Sequence, residues 1–482
     1  MTRTIARTIQ ILVASTCVLL TACATTTAKW PMPPQNLDHS QDVDLDRRLD
    51  ALVPQLLDAY AVPGAAIGII RNGVVWRSSG YGVKEAKKGE PVTTDTAFNV
   101  GSISKPVTAW GVLRLVDAGR ISLDTSVSSR LNRWSLPPSQ FDSKGVTVER
   151  LLNHTAGLTM WAVPEFPPGT TVPTLEEMLN ATTEGVRDIH LSHLPGSKWE
   201  YSGGGYAVLQ WLIEEVSGLT FGDYMAGEVL KPLGMNASSY EWNSAVMAAV
   251  AAPHDSAGQP ARGQRFTATS AAGLQTTLTD LLKFATASLP PPSGEPRRLL
   301  SNDAALKMFS TSAVASGYGL GYEVWEVDGL RFVGHGGQNE GWMAQFTLSP
   351  DTQNGLVILT NGVNGLRVIS EVQCLWMLHT FARGCEGLTP LPIHVDEVQL
   401  SRFAGSYRDP SGATIDLTVH HGHIFWKTDY GYEFALRPRG GNEFGFVIGE
   451  SRVIFRQTED GTVVGLTRHR GKEQTTFQRL RQ

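Results

Sequence analysis

Residues 101–106 read Gly-Ser-Ile-Ser-Lys-Pro, and this stretch is the most informative in the chain. Ser102 and Lys105 are three residues apart at a predicted helix start, and residues i and i+3 share one helical face. Pro106 is tolerated only near the start of a helix, and residues 107–118 then carry apolar side chains at helical spacing. An unprotonated amine beside a serine hydroxyl can take its proton. The stretch therefore predicts a nucleophilic serine, Ser102, with Lys105 as its base.

A Ser-x-x-Lys spacing alone occurs by chance about once in a few hundred residues, and a solvated helix lysine is the alternative for Lys105. Further motifs follow in order: Leu151–Leu158 (LLNHTAGL), Tyr201–Tyr206 (YSGGGY), Ala272–Leu274 (AGL) and Gly334–Gly337 (GHGG). Together with the first stretch they resemble the class C-like branch of the serine β-lactamase and penicillin-binding-protein superfamily. That branch contains family VIII carboxylesterases, D-aminopeptidases and related serine hydrolases. The likeness covers about residues 45–385.

This resemblance implies a fold and a set of catalytic roles. The fold is α/β (α+β), β-lactamase-like, with an antiparallel sheet flanked by helices and an inserted helical subdomain. Sheet and subdomain are expected to meet at a cleft that holds the motifs. Ser102 would attack a carbonyl carbon and form an acyl-enzyme, with Lys105 as the general base. Tyr201 would pass the proton to the leaving group and then help to activate water.

The last of these motifs, Gly334–Gly337, implies which residues bind the substrate in the cleft. His335, Gly336 and Gly337 match a position that is usually Lys-Thr-Gly, and the backbone N–H of Gln338 would complete an oxyanion hole with that of the nucleophile. Two positions depart from the β-lactamase pattern. Gly203 replaces an asparagine, and His335 replaces a lysine whose charge is permanent. Because both changes remove groups that bind a β-lactam, esters or peptides such as D-amino-acid-containing cell-wall fragments fit better as substrates.

Several candidate residues also have a structural interpretation. Tyr201 would then be an ordinary loop tyrosine, and His335 a histidine at a strand end. We predict that His154 is a helix-end or core hydrogen-bonding residue, and that His254 belongs to a solvated loop. Trp161 either lines an acyl pocket or packs within its own loop.

Strands are predicted at both ends of the hydrolase domain. Residues 65–70 and 74–77 form a hairpin around Asn72-Gly73, which is the strongest two-residue turn signal. More than two hundred helical and loop-rich residues separate this hairpin from the later strands. We therefore expect one antiparallel sheet built from both ends of the domain. The later predicted elements are strands at 330–335, 342–348 and 355–360, and a helix at 368–383.

A second pattern follows the proline-rich segment 389–392. Short alternating runs are separated there by Gly, Asp or Asn, which predicts a small β-barrel over residues 396–482. It resembles the lipocalin-like appendage of some relatives, and packing, oligomerisation or capping of the pocket are its expected roles. The predicted strands are 415–419, 424–427, 434–437, 453–456 and 463–467.

The amino end predicts export. Arg3 and Arg7 precede an apolar run that is too short for a mature membrane span, so residues 1–22 are predicted to be a signal peptide. Leu-Thr-Ala-Cys at 20–23 resembles a lipobox, which would make Cys23 a lipidated residue and the membrane a partner through this anchor. Ordinary cleavage after residue 24 is the alternative, giving a soluble periplasmic or secreted protein. Residues 23–44 are predicted to be a tether.

Charge and cysteine content limit the function classes. The formal net charge is −5 with no basic block, so nucleic acid is not an expected partner. A small ester, peptide or β-lactam-like substrate is expected, with no metal and no cofactor. Cys374 and Cys385 are expected to be free thiols, because eleven residues of helix at ~1.5 Å each exceed the ~7 Å Cα limit of a disulfide.

The sequence as a whole predicts a periplasmic serine hydrolase domain over residues 45–388, which cleaves ester or amide bonds. A D-peptidase or weak β-lactamase acting on cell-wall-like substrates is the alternative among enzymes. A non-catalytic penicillin-binding or cell-wall-binding protein is the alternative from another class.

Overall fold

The structure is a computed structural model that describes residues 39–180, 189–242, 244–247, 249–291, 299–382, 396–420, 423–427, 433–446, 451–470 and 473–480. The predicted signal peptide and Cys23 lie outside these ranges, as does most of the predicted tether. The first helix begins at His39, which is inside the predicted tether. Across the described ranges, none of the helices combines the length and the apolar character that a membrane span requires.

Helices flank the sheet and fill the stretch between its early and late strands. Three short 3₁₀ turns, Gly101–Ile103, Val127–Ser129 and Ser143–Gly145, and a π-helical turn, Ala226–Leu230, accompany them. In chain order the helices of the described residues are α1 (His39–Ala59), α2 (Ser104–Asp117), α3 (Val148–Leu152), α4 (Leu175–Leu179), α5 (Gly203–Ser217), α6 (Phe221–Met225), α7 (Ser244–Met247), α8 (Thr269–Ala272), α9 (Leu278–Ser288), α10 (Asn302–Met308), α11 (Gly365–Phe381) and α12 (Glu397–Ser401).

The strands form a large sheet, two short pairs and a barrel. In the first part of the chain the described strands are β1 (Gly64–Arg71), β2 (Val74–Gly82), β3 (Ala97–Asn99), β4 (Glu165–Phe166), β5 (Arg265–Phe266), β6 (Gln275–Thr277), β7 (Glu323–Val327), β8 (Leu330–Asn339), β9 (Trp342–Ser349) and β10 (Asn354–Thr360). The main sheet is antiparallel in the order β2-β1-β10-β9-β8-β7. β3 pairs with β6, and β4 pairs with β5.

This sheet confirms the predicted arrangement, since the early hairpin pairs with the late strands. Asn72 and Gly73 both have positive φ (49° and 76°), as the predicted hairpin turn requires. β1 pairs with β10 from Ala65 opposite Thr360 to Ile70 opposite Gly355. The edge strand β7 was not predicted, because its sequence Glu-Val-Trp-Glu-Val is short and half-exposed.

The sheet is covered on both faces, which explains why β1 is buried along its whole length. One face packs against the helical part of the domain through Ala66 and Ile70. The other face packs against α1 and α11 through Ile67 and Ile69. A strand covered on both sides must be apolar at every position rather than at alternate ones.

The carboxyl-terminal part of the chain is a closed barrel of consecutive antiparallel strands, in which the first strand also pairs with the last. Its interior is filled by apolar side chains, among them Phe403, whose ring lies 4.4 Å from that of Phe455. The barrel confirms the sequence prediction, although three of its strands were not predicted, because β11 and β15 have only four residues each and β18 is mostly polar. The described strands are β11 (Gly405–Arg408), β12 (Thr414–His420), β13 (His423–Lys427), β14 (Glu433–Gly440), β15 (Glu443–Phe446), β16 (Arg452–Gln457), β17 (Val463–Arg470) and β18 (Glu473–Arg479).

The prediction of two free thiols is wrong. Cys374 is disulfide-bonded, and its partner lies outside the described residues. The distance argument assumed a helix that continues to residue 383. However, α11 ends at Phe381, and Ala382 then adopts a left-handed conformation (φ 52°) that does not continue the helix. A helical rise per residue does not apply beyond that point.

Candidate active site

Ser102 lies in the 3₁₀ turn that leads into α2, as the position of Pro106 predicted. Gly101 allows this turn for two reasons. Its φ is +50°, and a Cβ at this position would lie 2.5 Å from the backbone nitrogen of Gln338. The glycine before Ser102 therefore lets β8 approach the turn closely.

Lys105 lies one turn further on and is almost completely buried, with 2% of its surface exposed. Its Nζ is 3.1 Å from Ser102 Oγ and donates a hydrogen bond of 2.8 Å to the carbonyl oxygen of Ala271. Burial lowers the pKa of Lys105 to about 7, because an apolar environment disfavours the charged amine. A large fraction of this lysine is therefore an uncharged amine near neutral pH.

Tyr201 reaches the same oxygen from the other side of the cleft. Its hydroxyl donates a 2.9 Å hydrogen bond to Ser102 Oγ. Burial is the main cause that raises the pKa of the Tyr201 phenol above its usual value. The next residue, Ser202, caps α5 by accepting a hydrogen bond from Gly205 N–H. The helix start thus fixes the backbone beside the tyrosine.

Gly203 is the first residue of α5. Its N–H donates to the carbonyl oxygen of Trp161 over 3.1 Å. A Cβ at this position would lie 3.1 Å from a methyl group of Val163 and 3.2 Å from that carbonyl oxygen. The chain therefore leaves little room here for the asparagine of the β-lactamase pattern.

His335 lies on β8 and is held as a neutral ring. Its Nδ1 donates to the carbonyl oxygen of Gly336, so Nε2 carries no proton and accepts a 2.8 Å hydrogen bond from the Tyr318 hydroxyl. Burial, followed by the nearby Lys105, lowers the pKa of His335 to about 3. This histidine offers no positive charge to a substrate at any ordinary pH.

β8 runs directly beside Ser102, as the resemblance implied. A Cβ at Gly337 would lie 1.9 Å from the carbonyl oxygen of Val100, so the two segments contact each other through backbone atoms. Asn339, at the end of β8, donates hydrogen bonds to the Asn99 side chain and to the carbonyl oxygen of Ala272. These bonds tie β8 to the segment before Ser102.

His154 follows α3, where a histidine at a helix end was expected, and it has a left-handed backbone (φ 61°). It is 2% exposed, and its Nδ1 accepts a hydrogen bond of 3.2 Å from Ser202 N–H. Its ring lies 4.3 Å from that of Tyr201. Burial is the main cause that lowers its pKa, so the ring is neutral. The structural interpretation thus holds, but the residue supports the site itself.

Two further expectations concern loop residues. The interpretation of His254 as a solvated residue is wrong: it is completely buried, its Nε2 accepts from Ala86 N–H and its Nδ1 contacts the carbonyl oxygen of Asn361. Trp161 is 66% exposed, and its ring lies 5.8 Å from that of Tyr201. Trp161 therefore stands at the mouth of the cleft and does not pack in a loop core.

Sequence reasoning missed Tyr318 and Glu323, which lie beside the motif residues. They precede His335 by 17 and 12 residues, and no local periodicity connects them to it. The pairing of β7 with β8 and the bridge between Tyr318 and Glu323 bring them to the cleft.

Comparisons with known proteins show the family of this chain. The Beta-lactamase family profile matches residues 49–369, about two thirds of the chain. The chain belongs to the Beta-lactamase family. It is 28% identical over 391 residues to penicillin-binding protein 4 of Amycolatopsis lactamdurans, covering 76% of this chain and 97% of that protein.

The other matches either span less of the matched protein's length or show similarity of fold alone. Protein flp of Staphylococcus aureus (strain MRSA252) is 25% identical over 327 residues, which is 66% of this chain but only 63% of that protein. The octameric penicillin-binding protein homologue from Pyrococcus abyssi has a TM-score of 0.59 at 21% identity, covering 89% of this chain and 99% of its own. SurE, solved alone and with D-Leu, also has a TM-score of 0.59, at 23% identity and over 91% and 100% of the two chains. These solved structures share the β-lactamase-like fold.

Proposed function

We propose that this member of the Beta-lactamase family is a serine hydrolase that cleaves ester or amide bonds through an acyl-enzyme on Ser102. The observation that carries the proposal is the pair of contacts at one oxygen: Lys105 Nζ at 3.1 Å and the Tyr201 hydroxyl at 2.9 Å. Because Tyr201 donates to Ser102 Oγ, the serine hydrogen is left to point toward the amine of Lys105. Such a hydrogen bond from nucleophile to base is the geometry of nucleophilic catalysis.

Lys105 and Tyr201 are assigned different roles because their pKa values differ. Lys105, with a pKa of about 7, takes the serine proton as Oγ attacks the carbonyl carbon. Tyr201 has a pKa raised above its usual value, mainly by burial, so it stays protonated and acts as a proton donor and shuttle. Expulsion of the alcohol or amine leaves the acyl group on Ser102, and water then releases it with the same groups acting in reverse.

The oxyanion hole is assigned to the backbone N–H groups of Ser102 and Gln338. The closeness of Gly101 to the Gln338 nitrogen supports this assignment, since the two segments are nearly in contact. Loss of one such donor typically costs ~3 kcal/mol of transition-state stabilisation.

The charge of the cleft favours substrates without a carboxylate near the scissile bond. A β-lactam carries such a carboxylate, and His335, which replaces the lysine of the β-lactamase pattern, remains neutral because burial lowers its pKa to about 3. The absence of a side chain at Gly203 removes a second β-lactam-binding group. We therefore place ester and simple amide hydrolysis ahead of β-lactam hydrolysis.

The test uses purified protein with a short-chain p-nitrophenyl ester and a chromogenic cephalosporin. Ser102→Ala is compared with Ser128→Ala, a variant of an exposed serine in a 3₁₀ turn. Ester turnover that is lost only in Ser102→Ala, with little cephalosporin cleavage, supports the proposal. Acylation by a fluorescent penicillin without any turnover in folded protein would instead identify a penicillin-binding protein.

We propose in addition that the protein is exported and lipid-anchored at Cys23, in the periplasm. The disulfide at Cys374 supports export, because such bonds persist in oxidising compartments. Labelling of cells with an alkyne fatty acid checks the anchor. Label should be lost in Cys23→Ser and retained in Cys17→Ser, and label that persists in Cys23→Ser would contradict the lipidation.

A further inference from the structure

Glu323 is a carboxylate at the cleft that the proposed mechanism does not use. It is the first residue of the edge strand β7, and its partner on β8 is Gly334, the residue before His335. An isolated bridge also joins Glu323 to Tyr318, whose hydroxyl contacts His335. The backbone thus places Glu323 opposite Gly334 and one residue from His335.

The Glu323 carboxyl group has no cationic partner among the described residues. Gly334 opposite it has no side chain, and within the described part of the chain the carboxyl group has no hydrogen bond and no ion pair. The residue is partly buried. After burial, the Glu323 charge is one of the causes that raise the pKa values of Tyr201 and Tyr318, so it acts on both phenols.

Aromatic rings stand beside Tyr318, the residue that the bridge pairs with Glu323. Trp199 is 42% exposed, and its ring lies 6.1 Å from that of Tyr318 and 6.5 Å from that of Tyr201. Trp161 lies on the other side of Tyr201. Ring faces attract cations through their quadrupole, and a carboxylate adds a full charge to that attraction.

We propose that Glu323, with the rings of Trp199, Tyr201 and Tyr318, forms a binding site for a protonated amino group of the substrate. The preferred substrates are then esters or amides that carry a free amine. This inference rests on the proposed hydrolase function and adds the substrate class to it. The neutral state of His335 is consistent with the site, since a lysine there would repel an ammonium group.

Binding of three small probes tests the site without requiring turnover. Benzylamine, benzyl alcohol and phenylacetate share a ring and differ in charge, and their affinities are measured by calorimetry at about pH 8. Burial raises the pKa of Glu323 to about 7, so its carboxyl group is ionised under this condition. We expect benzylamine to bind about tenfold more tightly than benzyl alcohol, the effect of one charge-assisted hydrogen bond. Phenylacetate should bind most weakly.

The matched variants are Glu323→Gln and Glu326→Gln, which remove one charge each from the same strand. Glu326 is exposed and serves as the control. Glu323→Gln should abolish the preference for benzylamine over benzyl alcohol, whereas Glu326→Gln should retain it. An unchanged preference in Glu323→Gln overturns the proposal, and so does phenylacetate binding as tightly as benzylamine to the unsubstituted protein. The second comparison remains decisive even if Glu323→Gln does not fold.

The probe experiment is separate from the ester assay. If ester turnover depends on Ser102 but benzylamine has no preference, the hydrolase function stands and the amine site fails. If benzylamine binds through Glu323 but no ester or amide is cleaved, the amine site stands and the hydrolase proposal fails.

Discussion

The ring of His154 lies against the ring of Tyr201, with centroids 4.3 Å apart, while His154 Nδ1 accepts the N–H of Ser202, the next residue along the chain. The buried side chain of His154 therefore contacts both the ring of Tyr201 and the backbone of the residue that follows it. The left-handed backbone of His154 (φ 61°) brings this about, because it turns the residue after α3 back toward the cleft. A conformation that is costly for a non-glycine residue is often retained at a functional site.

Replacement of His154 by phenylalanine tests this contact. His154→Phe keeps the ring but leaves the buried Ser202 N–H without its acceptor, so the free energy of unfolding should fall by about 1–3 kcal/mol. Urea denaturation followed by fluorescence measures the change. His193→Phe, at a partly exposed position in a loop, should cost less. Equal losses of unfolding free energy in the two variants would show that the hydrogen bond from Ser202 N–H to His154 adds no stability of its own.

The rate of ester hydrolysis should follow the deprotonation of Lys105. Its pKa is lowered to about 7 by burial, and only the neutral amine can accept the serine proton. The pre-steady-state acylation rate should therefore rise through pH 7 and become constant above about pH 8. Lys105→Arg should be inactive at every pH in this range, because a guanidinium stays protonated. An acylation rate that is flat from pH 6 to 9 would exclude Lys105 as the base.

The same pKa shift makes stability depend on pH. Lys105 has a pKa of about 7 in the folded protein against 10.5 in the unfolded chain, so the unfolded state binds more protons between these values. The free energy of unfolding should therefore rise with pH in this window, by at most about 1.4 kcal/mol per pH unit from this group. Lys105→Met should lack the rise. Parallel profiles for the two proteins, from urea titrations at pH 7 to 10, would contradict the shift.

The contact of Gly101 with β8 can be separated from its backbone conformation. Gly119 has a similar φ (+66° against +50°), but a Cβ there would meet nothing within 4 Å, whereas at Gly101 it would meet Gln338. Gly119→Ala should cost only the left-handed strain, about 1–2 kcal/mol. Gly101→Ala should destabilise the protein more and also reduce ester turnover, since it displaces the Gln338 backbone. Activity that is unchanged in folded Gly101→Ala would argue against the oxyanion role of Gln338.

Local geometry explains which features were predictable. The spacing of Ser102 and Lys105 fixes their contact whatever the rest of the fold does, because a helix places residues i and i+3 on one face. The Asn72-Gly73 turn and the alternating strands of the barrel are local in the same way. The order of the motifs identified the family, and the family implied the antiparallel sheet. The disulfide at Cys374 was not predicted, because the distance from Cys374 to another cysteine depends on where α11 ends.

The sequence by itself thus determined the contact of Ser102 with Lys105, the hairpin and the individual barrel strands, all of which follow from patterns within a few residues. Only the tertiary structure decided the rest of the site. Tyr201 meets Ser102 across 99 residues, and β8 aligns with the nucleophile turn across more than two hundred. The neutral state of His335 depends on burial, and the position of Glu323 beside Gly334 depends on the pairing of β7 with β8. Burial and long-range strand pairing arise only when the core assembles, so they cannot be inferred from the spacing of residues along the chain.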